Sequence, residues 1–133
     1  MTKELDFLRK NNEGFLATVD ESGKPRVRGW GILRVDDDKL VFGTSHTKKV
    51  FSQLKVNPFA EWISLGENFT SLRVSGNIRF EDNKSVKEKI GQENPLLQQL
   101  YANSNEEFEI FYLENLEYDW YITEIPPEFM NKQ

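Results

Sequence analysis

From Phe15 onward the period of this chain changes from helical to two, and its first three strand-like runs are joined by turns too short to carry a crossover connection. The clearest run is 70–80. Leu72, Val74, Ile78 and Phe80 share one face there, and Ser71, Arg73, Ser75, Asn77 and Arg79 share the other. Similar runs cover 15–19, 26–35, 39–44 and 59–65. Asp20-Glu21-Ser22-Gly23-Lys24-Pro25 separates the first two, and Asp36-Asp37-Asp38 the next two; both are built from residues that turns require. The first three strands therefore read as an antiparallel meander. A last hairpin is expected from 108–113 and 116–125, turning near Glu114-Asn115.

Short helices interrupt the strands. The first opens the chain, with Thr2 as its cap, Leu5 and Leu8 on one face, and Asn11, Asn12 and Gly14 ending it. The second follows Ser45 and Thr47, either of which can cap it; it buries Val50, Phe51 and Leu54 and stops at Asn57-Pro58. Segments 82–90 and 95–101 read as helical, and 102–105 as a loop. Pro126-Pro127 ends ordered pairing, so the expectation is a single domain over 1–125 with a tail at 126–133. Six or seven mostly antiparallel strands with two or three short helices make a mainly β fold, a barrel or a sandwich. A barrel closes the edges that so many strands leave open.

The 133 residues suffice for one domain. Ten Phe, four Tyr and three Trp fill a core or offer flat surfaces to a planar ligand. A net charge of −5 leaves no broad basic surface, which argues against nucleic-acid binding. The absence of Cys removes disulfides, thiol catalysis and cysteine-type zinc sites. The first residues lack the order of a secretory signal, and no apolar run is long enough to span a membrane, so a cytoplasmic location is expected.

Three segments carry chemistry. In Phe42-Gly43-Thr44-Ser45-His46-Thr47-Lys48-Lys49-Val50 a strand gives way to a helix with two lysines in its opening turn. A helix N-terminus already carries partial positive charge, so cations there are unfavourable unless an anion offsets them. With the hydroxyls of Thr44, Ser45 and Thr47 and the free amides of the first turn, this is an anion site suited to phosphate. The alternative is two ordinary solvated lysines. In Pro25-Arg26-Val27-Arg28-Gly29-Trp30-Gly31, alternation puts Arg26, Arg28 and Trp30 on one face, a set that suits an anionic aromatic ligand, while Gly29 and Gly31 leave the opposite face bare. The alternative is an exposed basic face with one packed Trp. In Ser71-Leu72-Arg73-Val74-Ser75-Gly76, Ser71, Arg73 and Ser75 form a polar stripe, either a ligand-facing edge or a solvated strand face. His46, the single histidine, has no Cys or placed carboxylate to make a triad or metal site.

Taken in order, these segments resemble the pyridoxamine 5'-phosphate oxidase-like, FMN-binding split-barrel family. The matching pieces are Gly14-Phe15-Leu16-Ala17-Thr18-Val19-Asp20 with Gly23-Lys24-Pro25-Arg26-Val27-Arg28, then Leu40-Val41-Phe42-Gly43-Thr44-Ser45 with Lys48-Lys49-Val50, then Gln53-Leu54-Lys55-Val56-Asn57-Pro58, and Leu72-Arg73-Val74-Ser75-Gly76. The resemblance implies an antiparallel split β-barrel of Greek-key type, dimerised with a second copy, with FMN held between subunits and a small-molecule substrate. It implies phosphate contacts for Arg28 and Lys49, with Lys48 at the partner position; Arg26, on the same strand face by alternation, is expected among the cofactor-binding residues. It places Thr44 and Ser45 along the phosphate pocket, and Ser71 and Trp30 near the flavin ring. The chain departs from the true oxidase in its C-terminal part, Tyr118-Asp119-Trp120-Tyr121-Ile122-Thr123-Glu124, which has no arginine after Arg79. That departure points to a generic small flavoprotein. The resulting expectation is a flavin-dependent oxidoreductase; the alternatives are a non-catalytic flavin or haem binder of the same fold, or a barrel without cofactor.

Overall fold

A computed structural model describes residues 2–100 and 108–122. These residues form one antiparallel sheet from β1 (Glu13–Val19), β2 (Pro25–Gly31), β3 (Arg34–Val35), β4 (Lys39–Ser45), β5 (Phe59–Leu65), β6 (Ser71–Phe80) and β7 (Phe108–Tyr121). The strand order is β2-β1-β5-β6-β7-β4-β3. Four short helices accompany it: α1 (Lys3–Lys10), α2 (Lys49–Val56), α3 (Lys84–Gln92) and α4 (Pro95–Leu100). The mainly β, seven-stranded split barrel agrees with the expectation, with one or two more helices. The loop expected at 102–105 and the tail at 126–133 lie outside the described residues.

Curling of the sheet follows from one covalent fact. β2 and β3 occupy opposite edges of the sheet, yet only Ile32 and Leu33 lie between them. Two linking residues span roughly 10 Å between flanking Cα atoms at full extension, so the edges must approach each other. The backbone marks the crossing: Ile32 N–H donates to Asn12 O beside β1, whereas Leu33 N–H donates to Val41 O on β4. This corrects the reading of 26–35 as one strand. It also corrects the meander, because β4 pairs with β3 and β7 and not with β2.

The C-terminal hairpin is a second correction. Residues Phe108–Tyr121 form one strand, paired with β6 along most of its length and with β4 over its first half. Asn115 takes φ 55°, which makes a bend and not a reversal, and the register slips between Ser75 and Asn77 opposite it. Gly76 permits this: a Cβ there would stand 2.3 Å from Glu114 O, so only glycine lets the bulged backbone approach.

Inside the curl, Leu16, Leu40, Phe42, Leu54, Trp62, Leu72, Val74, Phe111 and Leu113 have no solvent exposure. Burial of each large apolar side chain contributes roughly 1.5–3 kcal/mol. Val41, Ile90, Ile110 and Tyr112 form a smaller core on the other side of β4 and β7. Among the described residues no helix is long and apolar enough to cross a membrane.

Candidate functional site

The directly paired residues Leu16–Arg28 and Thr18–Arg26 point to the same side of the sheet. Leu16 and Thr18 are buried, so Arg26, Arg28 and Trp30 rise on the inner side of the curl. From this shared face the two arginines go separate ways. Arg26 turns to the β1–β2 turn, where its Nε lies 2.8 Å from Asp20 Oδ2. Asp20 also accepts from the Ser22 hydroxyl and from the backbone N–H groups of Ser22 and Lys24. Those bonds, the Ser22 hydroxyl first, hold its carboxyl far below the ordinary carboxylate range. Gly23 takes φ 83° to close this turn.

Arg28 turns under α2. Its Nη1 donates to Thr18 Oγ1 at 2.8 Å and to Leu16 O at 3.2 Å, and its Nη2 donates to Gln53 Oε1 at 3.0 Å. Every one of these acceptors is neutral. Of the six arginines in the chain, Arg9, Arg26, Arg34, Arg73 and Arg79 have carboxylate partners; among the described residues Arg28 has none. Carboxylates raise the guanidinium pKa of Arg34 and Arg79, whereas burial lowers that of Arg28. It remains protonated, half-buried and electrically unanswered.

The start of α2 completes the rim. Lys48 is the N-cap residue and makes no side-chain cap; this corrects the assignment of that role to Ser45 or Thr47. Their hydroxyls bond each other at 2.8 Å instead, and Ser45 Oγ accepts from Thr47 N–H. The opening turn of α2 thus keeps free N–H groups and contains no acidic residue. Lys48 Nζ lies 5.0 Å from the Trp30 ring centroid, and Trp30 Nε1 donates to Gly43 O. Lys49 is exposed and makes no ion pair among the described residues. Thr44 Oγ1 is buried without a hydrogen-bond partner among the described residues. An unanswered guanidinium, an unpaired lysine, open helix amides and an orphaned hydroxyl fit a phosphoryl group.

Ser71 lies elsewhere. It belongs to the outer face of the sheet, opposite Leu65 and Tyr121. That face changes character across its strands. One row runs Val27, Ala17, Glu61, Ser75, Glu117 and another runs Gly29, Phe15, Ile63, Arg73, Asp119. The charged end is closed by Arg73 pairing with Asp119 and Glu61. The apolar end exposes Val27 by 66% and Phe15 by 48%. There a depression of about 520 Å³ is lined by Glu13, Gly14, Phe15, Gly29, Trp30 and Gly31. A Cβ at Gly29 would meet nothing nearer than Gly14 O at 4.0 Å, so the glycines leave this surface open.

His46 is half-exposed beside the rim, its Nδ1 3.6 Å from Glu109 Oε2. No cluster of three potential metal ligands occurs among the described residues. Strand and helix patterning alone singles out neither Thr18 nor Gln53. The available signal was Gln53 itself, a polar residue in the buried i, i+3, i+4 stripe Val50, Gln53, Leu54.

Comparison with known proteins adds three findings. The family model described as Pyridoxamine 5'-phosphate oxidase matches residues 1–115. Among solved structures, a NimC/NimA family protein from Clostridium acetobutylicum is 27% identical, with 93% of this chain and 86% of that one covered at a TM-score of 0.79. An F420 reductase is 18% identical (82% and 90% covered, TM-score 0.66), and so is a haem storage protein from Vibrio cholerae (88% and 89% covered, TM-score 0.67). No curated protein matches the sequence.

Proposed function

The chain belongs to the pyridoxamine 5'-phosphate oxidase family, and from that premise we propose that it binds FMN and works as a flavin-dependent oxidoreductase on a small substrate. The observation that carries this reading is Arg28, the one arginine without a carboxylate partner among the described residues, half-buried and bonded to Gln53 of α2, the helix whose opening turn bears Lys48 and Lys49. A buried cation left unanswered is costly, and a phosphate removes that cost. Arg28 and Lys49 hold the phosphate, with Lys48 and the Thr44 hydroxyl beside it. Among the described residues β2 has no strand partner beyond β1, so a ligand gripped at Arg28 can pass the open edge toward the bare surface at Gly29 and Gly31. When bound, the flavin supplies the electron or hydride transfer. The chain's residues bind it and orient it.

The working unit is a homodimer. Its support is the apolar end of the outer sheet face, where Phe15, Val19 and Val27 stand exposed next to an unpaired strand edge. The substrate lies against the exposed flavin face in the cleft between copies.

The test is the absorption spectrum of the purified protein, with the chromophore released by denaturation and identified, followed by titration with FMN and with riboflavin. The expected result is a flavin spectrum and a clear preference for FMN over riboflavin. A Soret band in its place, or equal affinity for the two flavins, overturns the reading. Sedimentation at several concentrations checks the dimer.

A further inference from the structure

We propose that Gln53 and Thr18 are positioning residues: together they select which edge of the Arg28 guanidinium meets the ligand, and the neutral amide at 53 keeps the arginine's charge for the anion. The proposal rests on the phosphate reading above and adds the residues that make it specific.

Thr18 Oγ1 donates to Gln53 Oε1 at 2.6 Å, and the same amide oxygen accepts from Arg28 Nη2 at 3.0 Å. Thr18 Oγ1 in turn accepts from Arg28 Nη1 at 2.8 Å. Two donors converge on one oxygen, so the orientation of the Gln53 amide is settled: its oxygen faces the arginine and its NH2 faces away. The hydroxyl and the amide oxygen together occupy the end-on edge of the guanidinium, spanning Nη1 and Nη2. Leu16 O at 3.2 Å and Arg26 O at 3.4 Å take up what remains of Nη1. Nε and the second N–H of Nη2 have no acceptor among the described residues. Those two donors form the side-on edge, a parallel fork matched to two oxygens of one phosphate.

Burial strengthens the case. Thr18 is 3% exposed and Gln53 8%. Gln53 stands between Val50 and Leu54 in the buried stripe of α2, a position where leucine would pack without needing any partner. The amide ties α2 and β1 to the arginine. A glutamate of the same shape would bond Arg28 more strongly and also cancel its charge. Gln53 anchors the guanidinium without neutralising it.

The experiment compares the wild type with Gln53→Glu, Gln53→Met and Thr18→Val, each checked for folding by circular dichroism. Each is titrated with FMN and with riboflavin by flavin fluorescence, at neutral pH and again near pH 5. Gln53→Glu should lower FMN affinity by about tenfold or more, in line with loss of a charge-assisted pair. Riboflavin affinity should stay within about twofold, since it lacks the phosphate. Relative to wild type at the same pH, the FMN deficit should shrink as the introduced carboxyl protonates, a change that a purely structural role would not produce. Gln53→Met and Thr18→Val, which leave the charge but free the side chain, should each lose about threefold in FMN affinity alone. FMN binding by Gln53→Glu equal to wild type, or an equal loss for both flavins, overturns the proposal. If Gln53→Glu does not fold, Gln53→Met decides, and unchanged FMN affinity there overturns it as well. A wild type that binds FMN and riboflavin equally would instead mean that the phosphate reading itself has failed.

Discussion

The β1–β2 turn and the rim at the start of α2 lie on the same side of one strand pair, and they treat charge in opposite ways. In the turn the buried charge is answered: Asp20 gathers Arg26, the Ser22 hydroxyl and two backbone N–H groups. At the rim, among the described residues, Arg28 meets only neutral acceptors and Lys49 meets no carboxylate, and the opening turn of α2 carries no acid. A closed ion-pair network needs nothing further. A half-buried cation held by neutral groups is incomplete as it stands, and in the function proposed above the ligand's phosphate completes it. Arg26 and Arg28, two residues apart, therefore belong to different parts of the molecule's work.

The largest effect that tests this contrast is at Arg28. Replacing it with alanine should weaken FMN binding by about 10- to 150-fold, the range for a hydrogen bond to a charged group. Riboflavin binding should change little, and isothermal titration with both flavins measures the difference. The Thr18–Gln53 bond survives this substitution, so the fold should persist. Lys49→Ala comes next. Its side chain is exposed, so the loss should be a few-fold and should fade as salt rises from about 0.05 to about 0.5 M. An Arg28→Ala variant that loses no more than Lys49→Ala would break the contrast, because burial would then confer nothing.

Much of this arrangement could be read from residues alone, because much of it is local. Thr2 caps α1, Leu5 and Leu8 are buried, and β5 occupies the expected stretch, all settled by nearby residues and by alternation. The placement of Lys48 and Lys49 at a helix start is equally local. What escaped the reading is long-range. Alternation cannot tell that Ile32 and Leu33 carry the chain from one edge of the sheet to the other. It could not show that Glu114-Asn115 bends a strand when it could have reversed it, because the decision lies with Gly76 on another strand. It put Arg26 and Arg28 on one face correctly but as equals. Their difference comes from Asp20 curling back to one and α2 lowering Gln53 onto the other, contacts 6 and 25 residues apart in sequence.

Two smaller effects are expected from the side of the turn. Asp20→Asn should leave FMN affinity unchanged and alter only the response to acid. The Asp20 carboxyl titrates lower in the folded chain than in the unfolded one. Its contribution to stability is therefore complete above about pH 4 and drains away as the pH falls below that. Thermal unfolding at stepped pH should show a flatter decline below about pH 4 in the variant than in the wild type. Arg26→Ala should do least of all. The Ser22 and Lys24 bonds continue to hold Asp20, and the arginine is exposed. FMN affinity should match the wild type within error. This small result discriminates more than its size suggests. Arg26 and Arg28 carry the same charge on the same face, so if the rim drew its ligand by diffuse positive potential, both replacements would weaken binding in step. Loss at 28 with none at 26 means that the phosphate is gripped by donors placed one by one, and equal losses would reduce the rim to a general electrostatic attraction.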